Sequence, residues 1–510
     1  MIPILGGKRT IPEVNLRFPD EFDCRLRIKY EPMRKFRFSA IVVAFLLSTL
    51  PSTSFADSID ACRVPDTKWS AVSLGFPVKR ERLKYITKPK ILVIPFYPSD
   101  ATSFTLSSTE KANFLQSAKD IYELSSGLSQ IEFVFNPTVK LAIDTLNMDL
   151  FKLNVQQTYL RDFENDQFGF ALKFIEDNDS TIDFTGIDSV LLYGISRRSS
   201  QEIASALQFT SDMNFVGNNS KRKDGKPWFA PIITNEKIIS NVVLMYNRTE
   251  VSVITHELLH NYGLTDLYGA PNTPAGLSRM ANAWDETLLT YEKWVLGWHS
   301  DKDVTCVSGS DSQQISKFVF EVKNREQIAL VRPNQSQSMY VLETSIVNKI
   351  PLLSFYKLTN DARPPIEYYS YVNNRPGVNL TDLSVISTSY RGDQFSVLIH
   401  SIRDSLATVY VYPNAASTSS EVLRLQAEAQ SEAKIAAELK AKQEAEAKAA
   451  AELKAKQEAV AKAAAELKAK QEADAAATKT KKSTINCTKG SLTKKITGIN
   501  PKCPKGYKKK

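Results

Sequence analysis

The chain has 510 residues, 43% of them hydrophobic, which is enough for a large buried core and for two to four domains. Its formal net charge of +9 is concentrated at the ends: residues 1–56 carry nine Lys/Arg against five Asp/Glu, and residues 478–510 carry eleven lysines and no acid. The stretch between them, 57–477, is mildly acidic at −6, so nucleic acid is not the natural partner of the body of the protein.

Met33-Arg-Lys-Phe-Arg37, Ala40 to Leu50 and Ser54-Phe-Ala56 run basic, apolar, then small, the order of a secretory signal. The apolar run is shorter than the roughly 20 residues a membrane-spanning helix needs. We therefore expect residues 1–56 to be a leader and signal peptide, with translation starting at Met33 and Cys24 missing from the product. No other stretch reads as a transmembrane helix, so the mature chain is expected to be secreted from a bacterial cell. Cys62, Cys306, Cys487 and Cys503 then form an even set in an oxidising compartment. Cys487 and Cys503 share the short tail and are expected to pair, which leaves Cys62 for Cys306.

From 70 to 250 strand and helix patterns alternate. Ile91 to Phe96, Ile131 to Phe135, Ile187 to Tyr193 and Asn241 to Tyr246 read as strands. Ser107 to Leu124, Phe168 to Glu176 and Arg248 to Leu259 read as helices. The polar stretch 196–230 reads as a loop too long to be a mere connector, bordering a cleft. The third helix carries His256-Glu257-Leu-Leu-His260, followed by Asn261-Tyr-Gly263-Leu-Thr-Asp266-Leu-Tyr268. Residues four apart share a helix face, so His256 and His260 can turn two imidazoles to one ion. Glu257 lies beside that ion, where it can take a proton from water. Gly263 lets the backbone leave the helix through a conformation most residues avoid, a route by which Asp266 can return as third ligand. Glu286, Glu292 or His299 are the alternatives for that position. Three protein ligands and an open fourth place describe a catalytic zinc, whereas a structural zinc is closed by four.

The run HELLHNYGLTDLYG resembles the H-E-x-x-H-x-x-G-x-x-D pattern of the immune inhibitor A family, metzincin-like secreted bacterial zinc metallopeptidases. Ser278-Arg-Met-Ala-Asn-Ala-Trp284 is similar to that family's methionine turn, and Leu289 to Trp298 to its following helix ending in Leu-Gly-Trp. The resemblance covers residues 185 to 300, and Thr265 stands where the family usually has proline. It implies one catalytic Zn2+ on His256, His260 and Asp266, Glu257 as general base, and Met280 as a structural floor under the site. It also implies a mixed-sheet metzincin-like fold and protein or peptide substrates. An oxyanion stabiliser is required besides zinc, and Tyr268 and Tyr291 are both candidates. Cys62-Arg-Val-Pro-Asp66 faintly resembles the zinc-blocking cysteine segment of matrix metalloprotease propeptides, an alternative use for Cys62.

After Trp298 the texture changes. Lys317 to Val322, Met339 to Glu343 and Thr408 to Tyr412 alternate as short strands without a helix signal, predicting a β-rich, sandwich-like domain. His400 falls on such a strand, where packing explains it better than metal binding. From 421 to 477 the sequence repeats every 14 residues, with Leu439, Leu453 and Leu467 in equivalent places. Its Ala, Glu, Lys and Gln favour a helix, braced by pairs such as Glu438–Lys442 and Glu452–Lys456. One leucine per two heptads is a thin seam for a coiled coil, so a solvated spacer helix is expected. The lysine-rich end suits an anionic cell envelope.

The expected organisation is therefore α+β. A zinc metallopeptidase domain covers 57–302, a β-rich domain 303–413, a linker and helical spacer 414–482, and a basic paired-cysteine tail 483–510. The expected function is a secreted zinc endopeptidase. The alternative is an inactive exported surface-binding protein that retains a structural zinc.

Overall fold

Ile91 and Val93 point to one face of a central strand and Leu92, Ile94 and Phe96 to the other, and all five are buried. That strand, β1 (Lys90–Tyr97), sits inside a sheet covered on both faces, which is why it reads as an apolar run without polar alternation. The computed structural model describes residues 58–510 except 68–69, 146–166, 196–201, 211–224, 228, 270–272, 324, 334–335, 361, 363–364 and 373–374. The signal segment, the start at Met33 and Cys24 lie outside the described residues.

Helix α1 (Ser108–Leu124) follows β1, opened by a reciprocal cap between Ser107 and Glu110. Then come β2 (Glu132–Phe135), β3 (Val139–Lys140), α2 (Gln167–Asn178), β4 (Ser189–Gly194) and β5 (Ile203–Gln208). A small hairpin, β6 (Ile232–Ile233) and β7 (Ile238–Ile239), leads to β8 (Asn241–Tyr246) and α3 (Val251–Tyr262). The sheet order is β2-β1-β4-β8-β5, with β3 also on β1. β5 alone runs antiparallel, against β8 at the edge. Phe114 and Ile121 of α1 and Ile254 and Leu258 of α3 cover one face, and Phe170 and Phe174 of α2 cover the other. The expected strands and helices are present to within a few residues. Strand β5 is the difference: Ile203-Ala-Ser-Ala-Leu-Gln208 carries little β-branched character, and the polar stretch around it reads as loop.

Helix α4 (Thr290–Val295) and β9 (Val304–Gly309) begin the next part. It continues with β10 (Ser316–Glu321), β11 (Gln327–Pro333), β12 (Ser338–Val347), β13 (Ile350–Thr359) and β14 (Ile366–Tyr368). Short strands β15 (Tyr371–Val372), β16 (Arg375–Pro376), β17 (Val378–Asn379) and β18 (Ser389–Arg391) precede β19 (Phe395–Arg403) and β20 (Leu406–Pro413). One sheet has the order β14-β13-β12-β11-β9, the other β10-β20-β19-β18. Phe320, Val331, Leu342, Phe355, Val397 and Val409 join them through one core. On the far side of the first of these sheets, Leu330, Val341 and Tyr356 belong to the same cluster as Leu258 and Tyr291. The core therefore runs without a break through residue 302. The result is a mixed α/β protein with several sheets.

Both expected cysteine pairs are present as disulfides, Cys62–Cys306 and Cys487–Cys503. The first leaves no thiol at Cys62 to block a metal. Helix α5 (Ser420–Lys479) opens at the Ser419 cap and packs Val422, Leu425 and Ala429 against Leu398 and Tyr412. Arg403 pairs with Glu432 at this root, and His400 lies 3.5 Å from Glu428 with its ring against Tyr410. From Ala437 to Lys479 every residue is exposed. At 1.5 Å per residue this free arm is roughly 65 Å long. Its Glu-to-Lys pairs are not closed; Lys442 and Glu446 approach to 3.9 Å instead, since exposed ion pairs hold weakly against solvent. Past the arm, β21 (Ser483–Lys489), β22 (Leu492–Gly498) and β23 (Lys508–Lys509) make a small sheet around the second disulfide. No helix of the described residues is long and apolar enough to cross a membrane.

Candidate metal centre

Helix α3 leaves the carboxyl end of β8 and lies against the central sheet, so its HELLH face is buried: His256 is 5% exposed and His260 7%. It stops at Gly263, whose φ of 119° lies in the left-handed region. A Cβ there would come within 2.5 Å of Val78 Cγ1, so both conformation and space require glycine. The chain then doubles back. Asp266 Oδ1 arrives 3.2 Å from His256 Nε2 and 3.1 Å from His260 Nε2. Two ligands of one tetrahedral ion with bonds of about 2.0 Å stand about 3.3 Å apart.

The far side of each ring is also set. His256 Nδ1–H donates to the Arg279 carbonyl and His260 Nδ1–H to the Leu264 carbonyl, both at 2.8 Å. Those bonds select the tautomer that leaves each Nε2 lone pair facing Asp266. The Asp266 Oδ1 atom itself is buried without a hydrogen-bond donor. Three lone-pair atoms thus converge on one point, an arrangement that requires a cation. A proton is one answer: burial pulls the His260 pKa down, but Asp266 and then Glu257 and the Leu264 carbonyl lift it to about 9. The Asp266 carboxyl, raised by burial, is held far below the carboxylate range by the two imidazoles. A divalent ion is the other answer, and the donor set of two imidazoles and a carboxylate suits zinc. Among the described residues, His256, His260 and Asp266 are the one group of His, Cys, Asp and Glu that could hold a metal.

Glu257 is 7% exposed, and burial raises its pKa against the pull of the two histidines. Edge strand β5 passes close by, and the backbone at Ala206 opposes the effect of burial on the Glu257 carboxyl only weakly. Met280 is fully buried; its carbonyl accepts from Leu267 N at 2.9 Å, one residue past Asp266. The turn that carries Met280 therefore holds His256 through Arg279 and the Asp266 loop through Leu267. Arg279 is in turn fixed by Asp120 of α1, 3.2 Å away, which also accepts from Thr255 of α3.

The two candidate tyrosines separate cleanly. Tyr268 is 56% exposed and its ring lies near that of His256, with centroids 6.3 Å apart. Burial, then Asp266, pushes its hydroxyl pKa up. Tyr291 is fully buried and donates to the Leu74 carbonyl at 3.1 Å, which removes it as an oxyanion donor. Glu292 does not supply a metal ligand either: one oxygen accepts from Ser278 Oγ at 2.6 Å and Leu289 N at 2.8 Å. Glu286 and His299 line two other cavities. Asp120 and Arg279 were not legible as site residues, because the bonds that matter join segments tens to more than a hundred residues apart.

No protein-family model matches this chain, and a search of curated proteins also found no match.

Proposed function

We propose that the protein is a secreted zinc-dependent endopeptidase built on a metzincin-like fold. The observation that carries this reading is the convergence of His256 Nε2, His260 Nε2 and Asp266 Oδ1 within 3.2 Å contacts, with Glu257 one residue along the same helix. A bound zinc ion would supply acidity to water and polarise the scissile carbonyl. Glu257, one residue along the helix from His256, would take a proton from an attacking water and return it to the leaving amine. Tyr268, with its ring 6.3 Å from that of His256, is the candidate donor to the oxygen on which charge develops. The outer edge of β5 has no strand partner among the described residues and can pair with an extended substrate backbone. The disulfides and the signal-like leader support export. The arm and its lysine-rich sheet are read as an attachment to an anionic cell envelope.

The test is metal analysis of the purified chain together with casein-type digestion, with and without chelator. One zinc per chain and chelator-sensitive hydrolysis are expected. Glu257→Ala should keep the zinc and lower hydrolysis by about 10²–10⁴-fold. Zinc retained with no hydrolysis by the wild type would favour the exported binding protein with a structural zinc.

A further inference from the structure

The C-terminal sheet has two unlike faces. β21 lies between β22 and β23, and antiparallel pairing puts directly opposed residues on the same side. On one side Ile485 opposes Ile496, and Cys487 opposes Lys494 and Lys509. The segment after β22 folds over this side. The Cys487–Cys503 disulfide ties it down, and the Tyr507 ring centroid lies 5.9 Å from Lys494 Nζ. Cys487 is fully buried beneath it.

The other side is open. Its central row is Thr484, Asn486 and Thr488 of β21. β22 places Lys495 between Thr493 and Thr497, and β23 adds Lys508 opposite Thr488. Lys510, whose N–H donates to the Asn486 carbonyl at 2.9 Å, continues that register. All of these are exposed except Thr488, which is half-buried. A row of hydroxyls and an amide therefore runs between lysines on the two outer strands, which stand about 10 Å apart. Residues 478–510 hold eleven lysines, no arginine and no acidic residue, so no carboxylate side chain within the module offsets these cations.

Several polyanions match this charge, and the side chains decide between them. Docking on a membrane surface calls for apolar or aromatic side chains that enter the interface, and the open side has none. Single-stranded nucleic acid calls for aromatic platforms, yet the module's one aromatic residue, Tyr507, is on the covered side. A chain of polyol units joined by phosphodiesters needs neither. Its phosphates take lysines as point charges, and its hydroxyls can hydrogen-bond to the threonine and asparagine row. We infer that the open face is a docking surface for a polyol-phosphate polymer of the cell envelope, laid along β21. The inference rests on the envelope attachment read above and names its partner. It also gives the second disulfide a purpose: tying the last segment to one side keeps the other clear and its lysines in fixed rows.

The experiment titrates the full chain with poly(glycerol phosphate) by calorimetry over a range of salt. Isolated cell envelopes, phosphatidylglycerol vesicles and oligothymidylate are tested in parallel. Two triple variants remove equal charge from opposite sides. Lys495→Gln, Lys508→Gln and Lys510→Gln alter the open side; Lys489→Gln, Lys494→Gln and Lys509→Gln alter the covered one. Intact mass and thermal unfolding check the disulfide and the fold of each. The wild type should bind the polymer at low salt, and more tightly than vesicles or oligothymidylate. The open-side variant should bind it about tenfold more weakly with a flatter salt dependence, and the covered-side variant within about threefold of wild type. Equal losses in the two variants would reduce the surface to net charge and overturn the face. Tighter binding to vesicles or oligothymidylate overturns the partner. A wild type that binds envelopes but not the polymer overturns the inference and leaves the attachment standing, whereas binding to neither ends both.

Discussion

Asp266 is the residue on which the reading turns, because its position depends on a backbone reversal and not on helix periodicity. Truncation to alanine should leave two imidazoles, too few for tight zinc binding, so Asp266→Ala should lower zinc content and activity together. Equilibrium dialysis with zinc checks this, and an unchanged affinity would move the third ligand elsewhere. Tyr268 separates two roles by kinetics. If its hydroxyl stabilises developing charge, Tyr268→Phe should lower kcat by about 10²–10³-fold with zinc affinity and KM nearly unchanged. If it only steadies Asp266, the loss should appear as about 10–100-fold weaker zinc binding.

Among the elements, the turn that carries Met280 is held from below by a buried carboxyl. Glu292 of α4 binds Ser278 Oγ, which accepts in turn from Met280 N at 3.0 Å, and its other oxygen is buried without a partner. Burial pushes its pKa up to about 8, and neighbouring Glu343 of β12 stands at about 7 for the same reason. An unfolded glutamate titrates near 4.3, so the folded state holds these protons where the unfolded chain has released them. Their stabilisation is complete below about pH 4 and is lost as pH rises through about 8. The melting temperature of the wild type should therefore fall between pH 5 and 8. Glu292→Gln keeps the neutral hydrogen-bonding pattern and should flatten that fall, by roughly 1–3 kcal/mol of unfolding free energy at pH 8. Unfolding followed across pH for both proteins tests it; parallel curves would show that Glu292 is not the group responsible. The same variant should preserve zinc content, since Ser278 keeps its acceptor.

For the whole molecule, the position of α5 changes where the chain can be cut. Sequence composition alone suggests truncation after Pro413, but Val422, Leu425 and Ala429 cover Leu398 and Tyr412, and Glu432 binds Arg403. Removing that root would uncover apolar surface on β19 and β20. Truncation after Ala433 spares it and, on the proposed function, should leave peptide hydrolysis within about twofold while releasing the chain from cells, because the eleven lysines beyond residue 477 go with the arm. Strong salt should also release the full chain, since screening acts over about 8 Å even at physiological ionic strength. Full-length protein that never associates with cells at low salt would exclude the tether.

What residue order determined by itself was local or periodic. The HELLH pair, the glycine after it, the buried runs of β1, β4 and β8, and the 57-residue repetitive helix segment are all set by spacing along the chain. Cysteine parity was also enough to pair Cys62 with Cys306. Tertiary structure decided what depends on contacts between distant segments. It brought the Arg279 carbonyl onto His256, and Asp120 of another helix onto Arg279. It separated Tyr268 from Tyr291, two tyrosines that look alike in sequence but differ in what surrounds them. It also closed a cavity beside Asp266 with segments almost 300 residues apart. Backbone groups and burial carry these contacts, and neither leaves a mark in side-chain identity.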